Sequence, residues 1–165
     1  MLSFPGKKEI IIFMAYAQEN ASDAKRIQPA LIVLARLPKV SCYDINISAG
    51  IEWQQEEQAR LHAADIILLL VSWHFLTSDY CISKQLAQAI QRHKERKARV
   101  IPIILDACPW RDTPLHPLTP LPQNGKPMKQ WKSWNQALND VYEGVKKVID
   151  ELQNPSMPQD HSDII

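Results

Sequence analysis

The stretch at residues 65–90, "DIILLLVSWHFLTSDYCISKQLAQAI", decides how this sequence is read. It opens on "DIILLLVS" (65–72), whose apolar and branched residues run without a polar interruption. Such a run suits a parallel strand buried on both faces rather than a strand with one wet side. A polar turn follows, then Ile82, Leu86, Ala89 and Ile90 at helical spacing, with Ser78 or Asp79 placed to cap that helix. Strand, loop and helix in that order make the first half of a crossover unit.

The same alternation extends in both directions. "EIIIFMAY" (9–16) reads as a second buried strand. Asn20 is placed to cap the next helix, which has Asp23 in its first turn and Ala24, Ile27, Leu31 and Leu34 on its inner face. Pro29 predicts a kink there, or a break into two short helices. A brief strand near 40–43 leads into the loop "DINISAGIEW" (44–53), ended by Gly50, and residues 51–64 read as an exposed helix with Trp53 packed on the sheet. "RVIPIIL" (99–105) is strand four, after "RHKERKAR" (92–99), a solvated helix end whose cations suit the macrodipole. Between Pro102 and Pro127 the density of proline excludes helix and leaves a long surface loop with room for one short edge strand. Trp110, Trp131 and Trp134 are expected to pin that loop onto the last helices. A final amphipathic helix from about Ser133 buries Leu138, Val141, Val145, Val148 and Leu152. Residues 1–8 form a lead, and the polar tail 153–165 reads as disordered or as a linker to further domains.

Alternating strands and helices predict an α/β fold, a doubly wound parallel sheet with helices on both faces in three layers. Ligands in such folds bind outside the carboxyl ends of the strands. The loops at 16–20, 44–50 and 73–80 should meet there, with Gln85 just after the third.

At 165 residues the chain has the length of one domain, and 45% apolar with 22% charged residues is ordinary for a soluble one. A formal net charge of +1 gives no electrostatic case for nucleic acid or an anionic membrane surface. The longest apolar runs, 10–17 and 66–71, are too short to span a bilayer. Cys42, Cys81 and Cys108 are widely spaced and odd in number, which favours free thiols in a reducing cytoplasm. Glycines stand only at 6, 50, 125 and 144, so neither GxGxxG nor GxxxxGK[ST] is present and dinucleotide folds and P-loops of those types are excluded. A phospho-accepting receiver would need an acidic pair after strand one and an Asp after strand three, where the chain has "YAQE" and "SWH". His62, His74, His93 and His116 lack ligand spacing, so no metal site is assigned. GxSxG is absent, and Cys81 is read as a structural thiol rather than a nucleophile activated by a helix start.

Seven blocks, "IIFMAYAQEN", "DINISAGIEW", "AADIILLLVSWHFLTSDYC", "QAIQRH", "ARVIPIIL", "CPWRDTPLHPLTPLP" and "GKPMKQW", follow in the order that resembles Toll/interleukin-1 receptor (TIR) domains of the bacterial type, over residues 9–152. The resemblance implies a flavodoxin-like, five-stranded parallel sheet. It also implies one of two functions. Many such domains cleave NAD+ at the bond between nicotinamide and ribose, with NAD+ as substrate and no cofactor. Others are adaptors that signal by TIR–TIR self-association, and the enzymes also act as assemblies, often within longer defence proteins.

Cleaving that bond builds positive charge on the ribose, which a neighbouring carboxylate stabilises. In the family this is a Glu four residues after the Cys of an S-x-[WY]-C motif; here Ser78-Asp79-Tyr80-Cys81 is followed at that spacing by Gln85. The resemblance implies Ala15, Tyr16, Asp44, Ile45, Trp73, Ser78, Tyr80 and Cys81 as the NAD+-binding surroundings. From the residues themselves, the reading preferred for Asp44 is an Asx-type turn that orders its own loop. Two departures stand beside Gln85: Met14-Ala15-Tyr16-Ala17 lacks the hydroxyl of the usual "ISYA", and Ile45-Asn46 replaces the basic residue expected after Asp44. The residues therefore leave two readings: an NAD+ hydrolase type that binds better than it cleaves, or a non-enzymatic adaptor.

Overall fold

A computed structural model describes residues 8–47 and 55–155 of the chain. The elements follow as β1 (Ile10–Tyr16), α1 (Ala21–Ala35), β2 (Val40–Asn46), α2 (Gln55–His62), β3 (Ile66–Val71), α3 (Trp73–Leu76), α4 (Lys84–Lys94), β4 (Arg99–Ile104) and α5 (Trp134–Gln153). The strands pair in parallel in the order β2-β1-β3-β4. All six residues of β3 are buried, because helices cover both faces of the sheet. Alternation along the strands sorts the core into two layers. Phe13, Ala15, Ile67 and Leu69 face Leu61 of α2 and Leu86, Ala89 and Ile90 of α4. Ile12, Met14, Leu68 and Leu70 face Ala24, Ile27 and Leu31 of α1 and Val141, Val145 and Ile149 of α5. This is the expected three-layer, flavodoxin-like arrangement. Among the described residues no helix is long and apolar enough to cross a membrane.

Several local expectations are corrected. The helix carrying Pro29 is continuous over fifteen residues. Pro29 is exposed, so its missing N–H removes one solvent-side bond while the buried face holds the helix to the sheet. Strand β2 runs three residues past Tyr43, to Asn46, because β1 extends alongside it to Tyr16. In α5 the buried face is Ala137, Val141, Val145, Ile149 and Gln153, and Leu138, Val148 and Leu152 are only half-buried beside it. Ile82 is 84% exposed rather than part of the α4 stripe, because residues 79–82 form a separate tight turn. Arg92 is not a free solvated cation: its guanidinium donates to the carbonyls of His62 and, at 3.3 Å, Ala64. Trp110, with Leu115 and Leu118 of the same proline-rich segment, is buried in the layer of α2 and α4 rather than against the last helix as expected, and the Trp131 indole donates to the Lys126 carbonyl at 3.1 Å. Trp134 instead ties α5 to α1, with the Arg26 guanidinium 3.9 Å above its ring. The positions of Gly50 and Trp53 lie outside the described residues.

Among the described residues the sheet has four strands, and the expected fifth shrinks to one parallel bridge between Ile103 and Leu121. The edge of β4 explains this. Arg99 and Leu105 donate inward, to Asp65 and Val71 of the β3 side, so residues 100, 102 and 104 face outward. Ile104 N–H donates to Leu121 at 2.9 Å, and Leu121 N–H returns a bond to Pro102 at 2.8 Å. Pro102 has no N–H to offer, and Val100 N–H is taken by the His93 ring at 3.0 Å. No outward donor of the strand is left for a longer partner.

Leu121 itself leans on Gly144 in α5, where an added Cβ would lie 2.5 and 2.8 Å from the two Leu121 methyls. Gly144→Ala would stabilise a free helix by about 1 kcal/mol. Here it is expected not to stabilise, because the overlap displaces Leu121, and faster amide exchange at Ile104 should accompany it; a full 1 kcal/mol gain in urea unfolding refutes this packing.

At the other end of the sheet a buried polar chain joins the strand ends. Ser72, after β3, donates its hydroxyl to Asn20 Oδ1 at 2.6 Å and accepts Phe75 N–H at 3.1 Å. Asn20 Nδ2 donates to Asp23 at 2.9 Å. Lys129 Nζ then bridges Asp23 at 3.3 Å and Asp106, beyond β4, at 3.2 Å. Asn20 therefore occupies the cap position of α1 without capping it; its amide is spent on tertiary contacts. Burial opposes the Lys129 charge, but the hydrogen bonds and charges of Asp106 and Asp23 outweigh it and hold the ammonium pKa above its ordinary value.

An ordinary lost cap costs about 1 kcal/mol. Asn20→Ala is expected to cost more, about 2–3 kcal/mol, since it leaves the buried Ser72 hydroxyl without its acceptor and leaves Lys129 as the remaining partner of the buried Asp23 carboxylate. In a double-mutant cycle with Ser72→Ala, urea unfolding should give a coupling of about 1 kcal/mol; strict additivity would remove the network.

Candidate functional site

The loops after β1, β2 and β3 leave the sheet on the same side, at its carboxyl edge, where ligands bind in doubly wound folds. Tyr16 ends β1 half-buried, beside Asn46 in register, with Ala15 beside Ile45. Burial, and secondly the charge of Asp44, raise the Tyr16 phenol pKa, so the two side chains share one end of the sheet. Asp44 is exposed on β2, whereas Ala15 and Ile45 are buried and turned into the core between sheet and α2/α4. The side chain of Asn46 donates to Gln18, which ties the first two loops together.

The third loop is more ordered than a loop. Ser72 caps the single helical turn α3, from which Trp73 stands 58% exposed. His74 Nδ1 lies 3.4 Å from Glu19 across the gap to the first loop, but both side chains are more than half exposed and such a pair holds weakly. Ser78 donates to the Phe75 carbonyl at 2.6 Å. Tyr80 and Cys81 turn inward: Tyr80 meets Phe75 edge-on at 6.1 Å between ring centres, and both are buried. Burial raises both the Tyr80 phenol and the Cys81 thiol pKa. Cys81 is thus the structural thiol expected, since a nucleophile needs the opposite shift. Tyr80 and Cys81 act as the anchor of the segment.

This anchor sets where α4 begins. Neither Ser78 nor Asp79 caps it; Ser83 does, accepting Leu86 N–H at 3.2 Å while donating to the Tyr80 carbonyl at 2.7 Å. Gln85 is consequently the second residue of α4, half-buried, and no hydrogen bond among the described residues holds its amide. No hydrogen bond among the described residues joins Gln85 to Tyr16 or Asp44. Among the described residues no group of three or more His, Cys, Asp or Glu side chains could hold a metal ion. The pairing of Asn20 and Asp23 with Ser72 and Lys129, which fastens the strand ends, leaves no signal in the sequence beyond the Asn-x-x-Asp spacing, which fits a helix cap equally well.

The profile of the family described as TIR domain matches residues 12–149. The uncharacterized protein y4lF of Sinorhizobium fredii is 34% identical over 137 residues, which is 82% of this chain and 42% of that protein. The chain thus spans less than half the length of that relative. The parallel sheet and the match across nearly the whole described fold lead to one conclusion: the chain belongs to the TIR-domain family.

Proposed function

We propose that the chain is a TIR domain of the NAD+-hydrolase type that binds NAD+ and turns it over poorly, the signalling or effector module of a bacterial defence protein that works by self-association in the cytoplasm. The observation that carries this reading is Gln85. It stands in the first turn of α4, four residues after the buried Cys81, with an amide that no described neighbour holds. A Glu at that place would suit the local field, because carboxylates are favoured in the first turn of a helix. There it would face a ribose whose C1′–nitrogen bond to nicotinamide breaks as water adds at C1′, and would stabilise the cationic transition state. Gln keeps the shape and can hydrogen-bond a ribose hydroxyl, but it brings no charge. The expected loss from one preorganised electrostatic group is about 10²–10³ in rate.

A second reading, assembly without catalysis, is favoured by the exposure of Trp73 and Ile82, at 58% and 84%. Large apolar side chains in solvent are common anchors of protein contacts.

The two separate in one experiment. The chain and its Gln85→Glu variant are incubated with NAD+ at high protein concentration, and nicotinamide release is followed. The hydrolase reading expects a rise of at least about 10²-fold in the variant, at equal or slightly higher stability, with NAD+ bound by the unchanged chain in calorimetry. Silence in both tubes, with no NAD+ bound and concentration-dependent association in sedimentation, overturns it in favour of the adaptor.

A further inference from the structure

The outward donor of Val100 is closed by a side chain rather than by a strand. We propose that His93 is a pH-sensitive latch that fastens the end of α4 to the free edge of β4, shut by the neutral imidazole and opened by its protonation. Val100 N–H donates to His93 Nδ1 at 3.0 Å, so Nδ1 must present its lone pair and the ring proton sits on Nε2. A second proton has to go to Nδ1. Two N–H groups then face each other across the same gap and the bond is lost.

The surroundings weigh against that proton. His93 lies on a groove of about 950 Å³ between the end of α4, the edge of β4 and α5. Lys94 faces it from its own helix, Arg96 from the turn after that helix, Arg99 from β4, and Lys147, Asp140, Glu143 and Glu151 from α5. The anion nearest to Arg99, Glu151 at 2.9 Å, is already paired with it. Burial first, and the Arg99 charge second, lower the His93 pKa from 6.5. The unfolded chain takes up its proton near 6.5 while the folded chain resists. The latch therefore contributes fully above that pH, and its contribution is lost as pH falls from 6.5 towards the lower folded value.

The end of α4 is held on two sides, by Arg92 to the carbonyls of His62 and Ala64 and by His93 to β4. Only the second tie titrates. Mild acid thus frees the helix end from β4 and uncovers a strand-edge N–H, while the Arg92 tie remains.

Nitrogen NMR of the imidazole and exchange protection of the Val100 amide test this directly in the whole chain. Expected are an Nε2–H tautomer at neutral pH, a His93 midpoint below 6.5, and a five- to tenfold drop in Val100 protection with that same midpoint. His93→Ala should show the low protection at every pH. His93→Asn, whose Oδ1 can take the place of Nδ1, should keep protection and lose its pH dependence. An Nδ1–H tautomer, or Val100 protection that ignores the His93 titration, overturns the latch even if neither variant folds.

Discussion

The loops after β1 and β3 hang from one hydrogen-bond chain whose direction the backbone dictates. Phe75 N–H can only donate, so the Ser72 hydroxyl accepts it and must turn its own proton elsewhere. That proton goes to Asn20, which fixes the amide with its oxygen toward Ser72 and its nitrogen toward Asp23. Asp23 must then be an acceptor at both oxygens, and Lys129 supplies the charge that balances it. An Asp at position 20 would lack the donor, and a Ser would lack the second group. Only an amide passes the chain on. Because every member is satisfied, the network can rigidify the strand ends at little cost; half-satisfied, it would be worse than an apolar core.

The opposite boundary of the fold is set by what the edge of β4 lacks. A sheet grows when a strand shows a row of unpaired donors and acceptors. Here proline removes one donor, a histidine ring takes another and a single leucine bridge uses the third. The proline-rich segment crosses where a fifth strand would run, and Gly144 lets it lie close against α5. The groove that remains beside the bridge is lined by charges of both signs. Edge management and groove meet at Val100 and Leu121, which close the outward side of β4 and line the groove.

The sequence disclosed the parallel sheet because apolar runs buried on both faces have no other common explanation. The order of elements, the helix faces and the family motif followed from the same rows. What it concealed were choices between near-equal local options. Ser78, Asp79 and Ser83 are all good caps, and only the burial of Tyr80 and Cys81 selects Ser83. Asn20 looked like a cap because its tertiary partners, Ser72 and through Asp23 also Lys129, are distant in sequence. Pro29 looked like a break because propensity speaks before packing does. The signal in "RVIPIIL" was on the page: a proline inside a strand marks an edge. Of the residues implied as binding groups, the alternation along β1 and β2 already decided that Ala15 and Ile45 would share the inward face while Asp44 would not.

The exchange of a carboxylate for an amide at position 85 is therefore silent to the fold and loud only to chemistry. The first turn of α4 is satisfied by Ser83, so its geometry does not need charge at the next position but one. Packing does not need it either, since Leu86, Ala89 and Ile90 hold the helix to the sheet. A residue held by neither cap nor core drifts freely unless a ligand or partner constrains it. Gln85 also differs from a Glu by one terminal atom and a charge, not in size. Retaining the shape while dropping the charge keeps what a ribose hydroxyl requires and gives up what a ribosyl cation requires. On the proposed reading, that is the physical difference between holding a dinucleotide and breaking it.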